Sequence, residues 1–223
     1  MLTKALLIIT LFAGPLAAQA DAPLQTLLDQ TLTAARDEAH LPAVAALIHI
    51  DGKIAAEAAL GVRALGRSES VTTADRWHIG SDTKAFTSTM IARLVEQQVM
   101  RFDDTLAASF PAFAEAMNPA YRGVTIIQLL SHTAGLPPLT DDKDLPQFMA
   151  VIASARDVKA QRAAIAHAYL TMPPASTTGE FEYSNLGFII AGAIAEARTG
   201  KPWEELIREQ IFAPLSIRSA GFD

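Results

Sequence analysis

The chain has 223 residues, a length that suggests one large domain or two small ones. Its formal net charge is −6 and it has no cluster of lysines and arginines, so we expect no nucleic-acid partner. The absence of cysteine excludes disulfides, thiolate metal sites and a cysteine nucleophile, and the five scattered histidines lack zinc-ligand spacing, so we expect no metal and no other cofactor.

Residues 1–20 have the pattern of a cleaved signal peptide. Lys4 gives a positive start, "ALLIITLFA" follows as a short apolar segment, and "AQA" at 18–20 is typical of a cleavage site. A transmembrane anchor is the alternative, but a span needs about 20 apolar residues, and Gly14-Pro15 interrupts this segment earlier. We therefore expect cleavage after Ala20, a periplasmic or secreted product, and no stable membrane anchor in that product.

The sequence pattern over residues 24–62 predicts a helix followed by a hairpin. Apolar residues at helical spacing in "LQTLLDQTLTAARDEAH" predict a surface helix that ends before Pro42. The apolar runs "VAALIHI" and "KIAAEAALGV" flank Asp51-Gly52, which predicts two antiparallel strands joined by a two-residue turn. "GRSESVTTADR" reads as a loop, and a helix is predicted from Ser81 to about Gln98.

The second half of the chain predicts mostly helices and turns. In order, we expect a short helix in "TIIQLLSHTAGLPP" ended by Gly135, a loop in "PPLTDDKDLP" and a helix in "SARDVKAQRAAIAHAYL". A loop in "ASTTGEFEYSN" then precedes a buried helix in "LGFIIAGAIAEARTG", which Gly200 ends. The last elements expected are an amphipathic helix in "PWEELIREQIF", with proline in its first turn, and the start of a strand in "SIRSAGFD". This order predicts an α+β fold of the α/β-sandwich type, with an inserted helical region at roughly residues 99–180.

Ser81 and Lys84 are the first pair that suggests chemistry. Residues three apart lie on one face of a helix, so the lysine stands one turn below the serine hydroxyl. A serine nucleophile needs a base and a place for an oxyanion, and the free N–H groups at a helix N-terminus suit the oxyanion. The helix dipole and the apolar residues that follow are expected to favour the neutral amine of Lys84, which could then accept or relay a proton.

Both residues also have ordinary structural explanations. Ser81 could cap the helix after Gly80, and Lys84 could extend its charged end to solvent. An S-x-x-K pair alone is a weak signal, because so short a pattern often occurs by chance.

Tyr183 and Asn185 lie in the loop before the predicted buried helix. A tyrosine hydroxyl can exchange a proton with a serine if nearby cations stabilise its phenolate, and an asparagine amide can hold a substrate carbonyl or orient a lysine. Alternatively, Tyr183 is a packing residue and Asn185 caps the helix that follows.

Three motifs in this order, "IGSDTKAFTS", "LLSHTAGLP" and "YSNLGF", resemble the serine hydrolases that group class C β-lactamases, DD-peptidases and related esterases. "TGKPWEELIREQIFAPLSI" is also similar to the segment that follows the tyrosine motif there. The resemblance covers nearly all of residues 21–223. It implies a β-lactamase/transpeptidase-like fold, in which an antiparallel sheet is packed by helices, with a helical region alongside and the site between them.

The resemblance also implies roles for individual residues. Ser81 is the nucleophile that accepts the acyl group, Lys84 and Tyr183 share the acid–base work, and Asn185 lines the substrate site. The backbone N–H of Ser81 is implied as half of the oxyanion hole. His132 could suggest a Ser-His-Asp triad with Ser131 or Ser81, but the resemblance makes this stretch structural.

The family's third motif, Lys or His followed by Thr or Ser and then Gly, is not found after Tyr183, and "RTG" at 198–200 falls at a predicted helix end. We therefore expect residues 21–223 to be the N-terminal part of a single domain. The C-terminal strands are expected to be missing from this chain, and the chain alone to be inactive. The alternatives are a truncated gene product and a partner chain that completes the sheet.

The expected function is that of an exported serine hydrolase with an acyl-enzyme on Ser81. The expected substrate is a small-molecule ester, a β-lactam or a peptidoglycan-like D-Ala peptide, and the serine in "YSN" favours the esterase and peptidase branch. The alternatives are a non-catalytic relative that binds penicillin or peptidoglycan, an inactive fragment, and a helical interaction protein without a site.

Overall fold

A computed structural model describes residues 23–222, so the predicted signal peptide lies outside the described residues. Within that range the chain divides into two compact units, residues 23–77 and residues 78–222. None of the helices between residues 23 and 222 is long and apolar enough to cross a bilayer.

A hairpin forms the sheet of the first unit. Strands β1 (Ala43–Ile50) and β2 (Lys53–Gly61) pair antiparallel. Between them, Asp51 and Gly52 have φ angles of 48° and 78°, the left-handed pair that a tight hairpin turn requires. The predicted hairpin is therefore confirmed, and its cause is the local Asp-Gly turn.

One helix covers this hairpin. Helix α1 (Leu24–Glu38) buries Leu28 and Leu32 against Ala56 and Ala58 of the second strand. Alanines at the contact let the helix approach the sheet closely, because they add little side-chain volume. The remainder of α1 is largely exposed, as predicted for a surface helix.

The second unit is built from helices in its described residues. A 3₁₀ turn over Gly80–Asp82 leads into the first of them. The helices are α2 (Thr83–Glu96), α3 (Leu106–Ser109), α4 (Pro119–Arg122), α5 (Ile126–Leu130), α6 (Leu145–Ala153), α7 (Val158–Leu170), α8 (Asn185–Thr199) and α9 (Trp203–Ile207). Together with the small sheet, these helices confirm the predicted α+β class.

Helix α8 lies at the centre of the second unit. It contacts α2, α5 and α7, and most of its residues are buried. At Gly187 a Cβ atom would lie 2.9 Å from the carbonyl oxygen of Leu129, so only glycine lets α8 and α5 meet this closely. The helix ends at Gly200, whose φ of 76° confirms the predicted stop.

Two predicted elements around prolines differ from the structure. The predicted loop over 137–146 ends in a 3₁₀ turn, and α6 begins at Leu145, because Pro146 occupies a first-turn position where no N–H is needed. The helix predicted over 202–212 has Pro202 as its N-cap, is α-helical only in α9, and continues as a π-helix over Arg208–Phe212.

The strand predicted in "SIRSAGFD" is wrong for residues 216–222, which form no strand. A strand needs a neighbour for its backbone hydrogen bonds, and this segment has none among the described residues. Its end packs through the ring of Phe222 instead, which lies 5.3 Å from Trp203 and 5.6 Å from Phe212 between centroids.

A partly buried ion network joins α7, α8 and α9. Arg162 donates to Glu196 at 2.6 Å and also to Glu204, and the N–H of Trp203 donates to the same Glu196 oxygen at 2.8 Å. Glu196 is only 2% exposed, and its second oxygen has no hydrogen-bond partner in the described structure. Burial therefore raises the pKa of Glu196, although the Trp203 N–H and the charge of Arg162 oppose the shift.

We expect Glu196→Ala to lower the free energy of unfolding by about 3 kcal/mol, because it removes the buried carboxylate of the pair and leaves the half-buried Arg162 guanidinium with one partner. Chemical denaturation of both proteins measures the change. The matched control is Glu205→Ala on α9, whose carboxylate is 47% exposed and pairs with Lys201 at 3.6 Å. A loss no larger than that of the control would show that the network contributes little.

Candidate active site

Ser81 lies in the 3₁₀ turn just before α2. Gly80 precedes it with a φ of 52°, which glycine adopts without steric cost. The N-cap of α2 is Asp82, and no side chain caps this end by a hydrogen bond. The alternative in which Ser81 caps the helix is therefore wrong, and its exposed hydroxyl makes other contacts.

The structure brings the four predicted site residues into one hydrogen-bonded group. The hydroxyl oxygens of Ser81 and Tyr183 are 2.8 Å apart. Lys84 Nζ donates to Ser81 Oγ at 3.1 Å and to Asn185 Oδ1 at 2.7 Å. Their proximity is a finding of the structure, while their roles in catalysis stay predictions.

Lys84 is half-buried against aromatic rings. Its Nζ lies 4.7 Å from the ring centroid of Tyr183 and 5.7 Å from that of Phe188 on α8. The alternative in which Lys84 extends into solvent is therefore wrong. Phe188 was not predicted as a site residue, although it stands one helical turn after Asn185 in "YSNLGF".

Tyr183 differs from the other two tyrosines in its acidity. Burial raises the pKa of Tyr183, but hydrogen bonds with Lys84 and Ser81 and the charge of Lys84 outweigh burial, so the net pKa is below 10.0. Burial raises the pKa of Tyr121 to about 12, and burial together with Asp144 raises that of Tyr169. Tyr183 is therefore the tyrosine that ionises most readily.

Three consecutive carbonyl groups hold the residues that follow Tyr183. Ser184 Oγ donates to the Pro137 carbonyl at 2.6 Å, and the Asn185 N–H donates to that of Pro138 at 2.9 Å. Asn185 Nδ2 donates to the Leu139 carbonyl, also at 2.9 Å. Because an amide nitrogen can only donate, this last bond fixes the amide so that its oxygen faces the lysine.

Ser184, not Asn185, is the N-cap of α8. Its hydroxyl oxygen accepts the N–H of Gly187 at 3.4 Å, and Asn185 is the first residue of the helix. The alternative in which Asn185 serves as a cap is therefore wrong. Its side chain is directed to Lys84 and Leu139 instead.

His132 lies beside Tyr183, with ring centroids 4.5 Å apart. Its Nδ1 accepts the backbone N–H of Ser184 at 3.1 Å. Ser131 Oγ pairs with Thr133 Oγ1 at 3.0 Å, so the described contacts do not form a Ser131–His132 dyad. The contact with Tyr183 was not predicted, because nothing local in "SHTAGLP" indicates that the imidazole lies against a distant phenol.

A cleft of about 400 Å³ borders the hydrogen-bonded group. It is lined by His78, Gly80, Ser81, Thr83, Lys84, Thr87, Arg162, Asn185, Phe188, Ile189, Gly192 and Trp203. A cleft with mostly apolar walls and a few polar groups at one end is typical of a site for a small molecule. Residues 23–222 contain no cluster of three or more acidic, histidine or cysteine side chains that could hold a metal ion.

Comparison with known proteins gives one consistent result. The family profile described as Beta-lactamase matches residues 28–223. Penicillin-binding protein 4 of Amycolatopsis lactamdurans is 33% identical over 187 residues, which cover 84% of this chain and 46% of that protein. Protein flp of Staphylococcus aureus strain MW2 is 26% identical over 183 residues, or 82% of this chain and 35% of that protein.

A solved structure agrees with the sequence comparisons. The octameric penicillin-binding protein homologue from Pyrococcus abyssi has a TM-score of 0.68 and 25% identity, covering 86% of this chain and 43% of that chain. The chain thus spans less than half the length of these relatives.

Ultraviolet titration of phenolate absorbance is expected to show three separate steps, because the environments of the three tyrosines differ. Tyr183 should ionise first, below pH 10.0, and Tyr121 last, near pH 12. Lys84→Met should delay the first step, because it removes the hydrogen bond and the charge that favour the phenolate. Lys201→Met, which removes an exposed lysine outside this group, is the control. An unchanged first step in Lys84→Met would contradict the assignment.

Proposed function

Because the chain belongs to the Beta-lactamase family, we propose that it is the part of an exported serine hydrolase that carries the nucleophile, with an acyl-enzyme forming on Ser81. Membership confirms the resemblance predicted from the motifs, and at family level it points to a serine hydrolase or a penicillin-binding protein. The single observation that carries the proposal is the hydrogen-bonded group of Ser81, Lys84, Tyr183 and Asn185. Export is proposed from the pattern of residues 1–20 alone.

Tyr183 is the proposed proton acceptor for Ser81. The 2.8 Å contact between their oxygens is a hydrogen bond along which the serine proton can move to the phenolate. The ammonium of Lys84 faces the same ring and lowers the pKa of Tyr183 against the effect of burial. Lys84 thereby shares the acid–base work, because its charge sets how readily Tyr183 takes the proton.

The proposed reaction has two steps that share this proton. Ser81 Oγ attacks the carbonyl carbon of the ester or amide, and its proton passes to Tyr183. The bond to the leaving group then breaks, Tyr183 returns the proton to that group, and the acyl group stays on the serine. Water afterwards attacks the same carbonyl carbon and gives a proton to Tyr183. The bond between the acyl group and Ser81 Oγ then breaks, Tyr183 returns the proton to Ser81, and the acid is released.

Asn185 is proposed to orient Lys84 and to contact the substrate. Its oxygen accepts from Lys84, and one N–H of its amide donates to Leu139. The second N–H of the amide remains available for a substrate carbonyl. The backbone N–H of Ser81, before the positive end of α2, is the proposed first oxyanion donor.

The proposed substrates are a carboxylic ester, a β-lactam or a D-Ala peptide. The apolar walls of the cleft and its polar end at Ser81 support a small acyl compound. The relative named penicillin-binding protein 4 supports ligands of the penicillin class, and it also leaves a penicillin-binding role without turnover as the second candidate.

A fluorophosphonate or a labelled penicillin is expected to attach covalently to Ser81 in the natural protein. Mass spectrometry of the peptide that contains Ser81 locates the label, and Ser81→Ala should abolish it. A label on Ser131 or Ser184 would contradict the assignment. Labelling by penicillin that is never released would favour the binding role over turnover.

Lys84→Arg is expected to slow acylation of Ser81 by about 10²- to 10⁴-fold, because a planar guanidinium cannot reproduce the contacts of Lys84 Nζ with Ser81, Asn185 and the ring of Tyr183. Stopped reactions with the labelled penicillin measure the acylation rate, and circular dichroism checks the fold. Lys201→Arg is the control, since Lys201 pairs with Glu209 outside the site. Normal acylation by a folded Lys84→Arg protein would show that the lysine has only a structural role.

A further inference from the structure

We propose that His132 is a positioning residue for Tyr183, and that its neutral imidazole holds the phenol against Ser81 and Lys84. The inference rests on the proposed function, in which Tyr183 accepts the serine proton. It assigns His132 no contact with the substrate. His132 belongs to the motif "SHTAGLP", which has no other role in the proposed reaction.

His132 holds the chain on both sides of Tyr183. The N–H of Glu182 donates to the backbone carbonyl of His132 at 2.8 Å, and the N–H of Ser184 donates to its Nδ1 at 3.1 Å. Tyr183, between these two residues, packs its own ring beside the imidazole, with an interplanar angle of 31°. One residue therefore fixes the backbone before and after the tyrosine as well as the tyrosine ring.

The imidazole is itself held in place. The ring of Phe188 lies 5.3 Å from it and that of Phe181 lies 5.8 Å from it, between centroids. The backbone of His132 has a φ of 60°, a left-handed conformation that a non-glycine residue keeps only when its surroundings stabilise it. The contacts with residues 182–184 supply that stabilisation.

The hydrogen bond from Ser184 determines the tautomer. A backbone N–H can only donate, so Nδ1 carries no proton, and the neutral ring carries its proton on Nε2. Protonation of Nδ1 would break this bond and place a second positive charge near Lys84. The titratable groups that face the ring are Lys84 on α2 and Tyr183 itself.

These contacts predict a form of pH dependence. Burial and the charge of Lys84 lower the pKa of His132, so the ring is neutral at neutral pH and becomes charged only in acid. As pH falls through this lowered pKa, the bond to Ser184 is lost and Tyr183 is released. Acylation of Ser81 should therefore fall on the acid side, below the ordinary histidine range.

Two variants separate the contributions of the imidazole. His132→Asn keeps an oxygen near the position of Nδ1 and tolerates the left-handed backbone, but it has no ring. His132→Phe keeps a ring but has no acceptor for the Ser184 N–H. The control is His40→Asn, because His40 is an exposed histidine that also has a left-handed φ, of 52°.

The first measurement is the ultraviolet titration of Tyr183, which needs no turnover. In both His132 variants the first phenolate step should move up toward pH 10.0, because the phenol is no longer held against Lys84. The second measurement is the rate at which the fluorophosphonate phosphonylates Ser81, with fluoride as the leaving group. The maximal rate should fall about 10- to 100-fold with little change in the half-saturating concentration, as expected for a misplaced group. The acid limb should be lost in His132→Asn.

The outcomes separate this inference from the proposed function. An unchanged Tyr183 step in both folded variants overturns the positioning role, whatever the phosphonylation rates are. A shifted step in a protein that is never acylated at Ser81 supports the positioning role and contradicts the proposed function. If neither variant folds, nitrogen NMR of the wild-type ring decides. An Nε2–H tautomer that persists at neutral pH supports the inference, and a proton on Nδ1 overturns it.

Discussion

The rest of the site depends on the contacts that Lys84 Nζ makes. It donates to Ser81 and Asn185, and it faces the ring of Tyr183. Two of these partners lie about a hundred residues further along the chain, so one cation joins the start of α2 to the start of α8. The same charge lowers the pKa of the Tyr183 phenol, so Lys84 both positions the other site residues and changes the proton affinity of the tyrosine.

The helix packing places that cation. Helix α8 is lined by small and aliphatic side chains, and at Gly187 its backbone reaches the end of α5. The first turn of α8 then lies where Asn185 can meet Lys84, while residues 137–139 fix the direction of the amide. The partly buried network around Arg162 holds the other end of α8 to α7 and α9. The packing of α8 therefore determines where its site residue, Asn185, lies.

Short sequence patterns predicted the parts of this structure that depend on residues close together in the chain. Asp51-Gly52 specified its hairpin, and the pair Ser81 and Lys84 was predicted from helical spacing. Helix α6 was missed altogether: its first two residues were assigned to the predicted loop over 137–146, because Pro146 breaks a helix interior but is tolerated in a first turn, and the rest was assigned to no element. The contacts of His132 and Phe188 with the site depend on packing between distant segments, and no periodicity or motif spacing encodes such contacts.

The hydrogen bonds between residues 132–139 and 182–185 hold the site together and also affect how it unfolds locally. Every residue from 182 to 185 contacts the earlier segment, through a backbone hydrogen bond, a side-chain hydrogen bond or the tilted ring contact of Tyr183. Opening of either segment breaks bonds to the other, so we expect the two to open as one cooperative unit of local unfolding. When the two segments separate, the phenol of Tyr183 and the amide of Asn185 leave the lysine together.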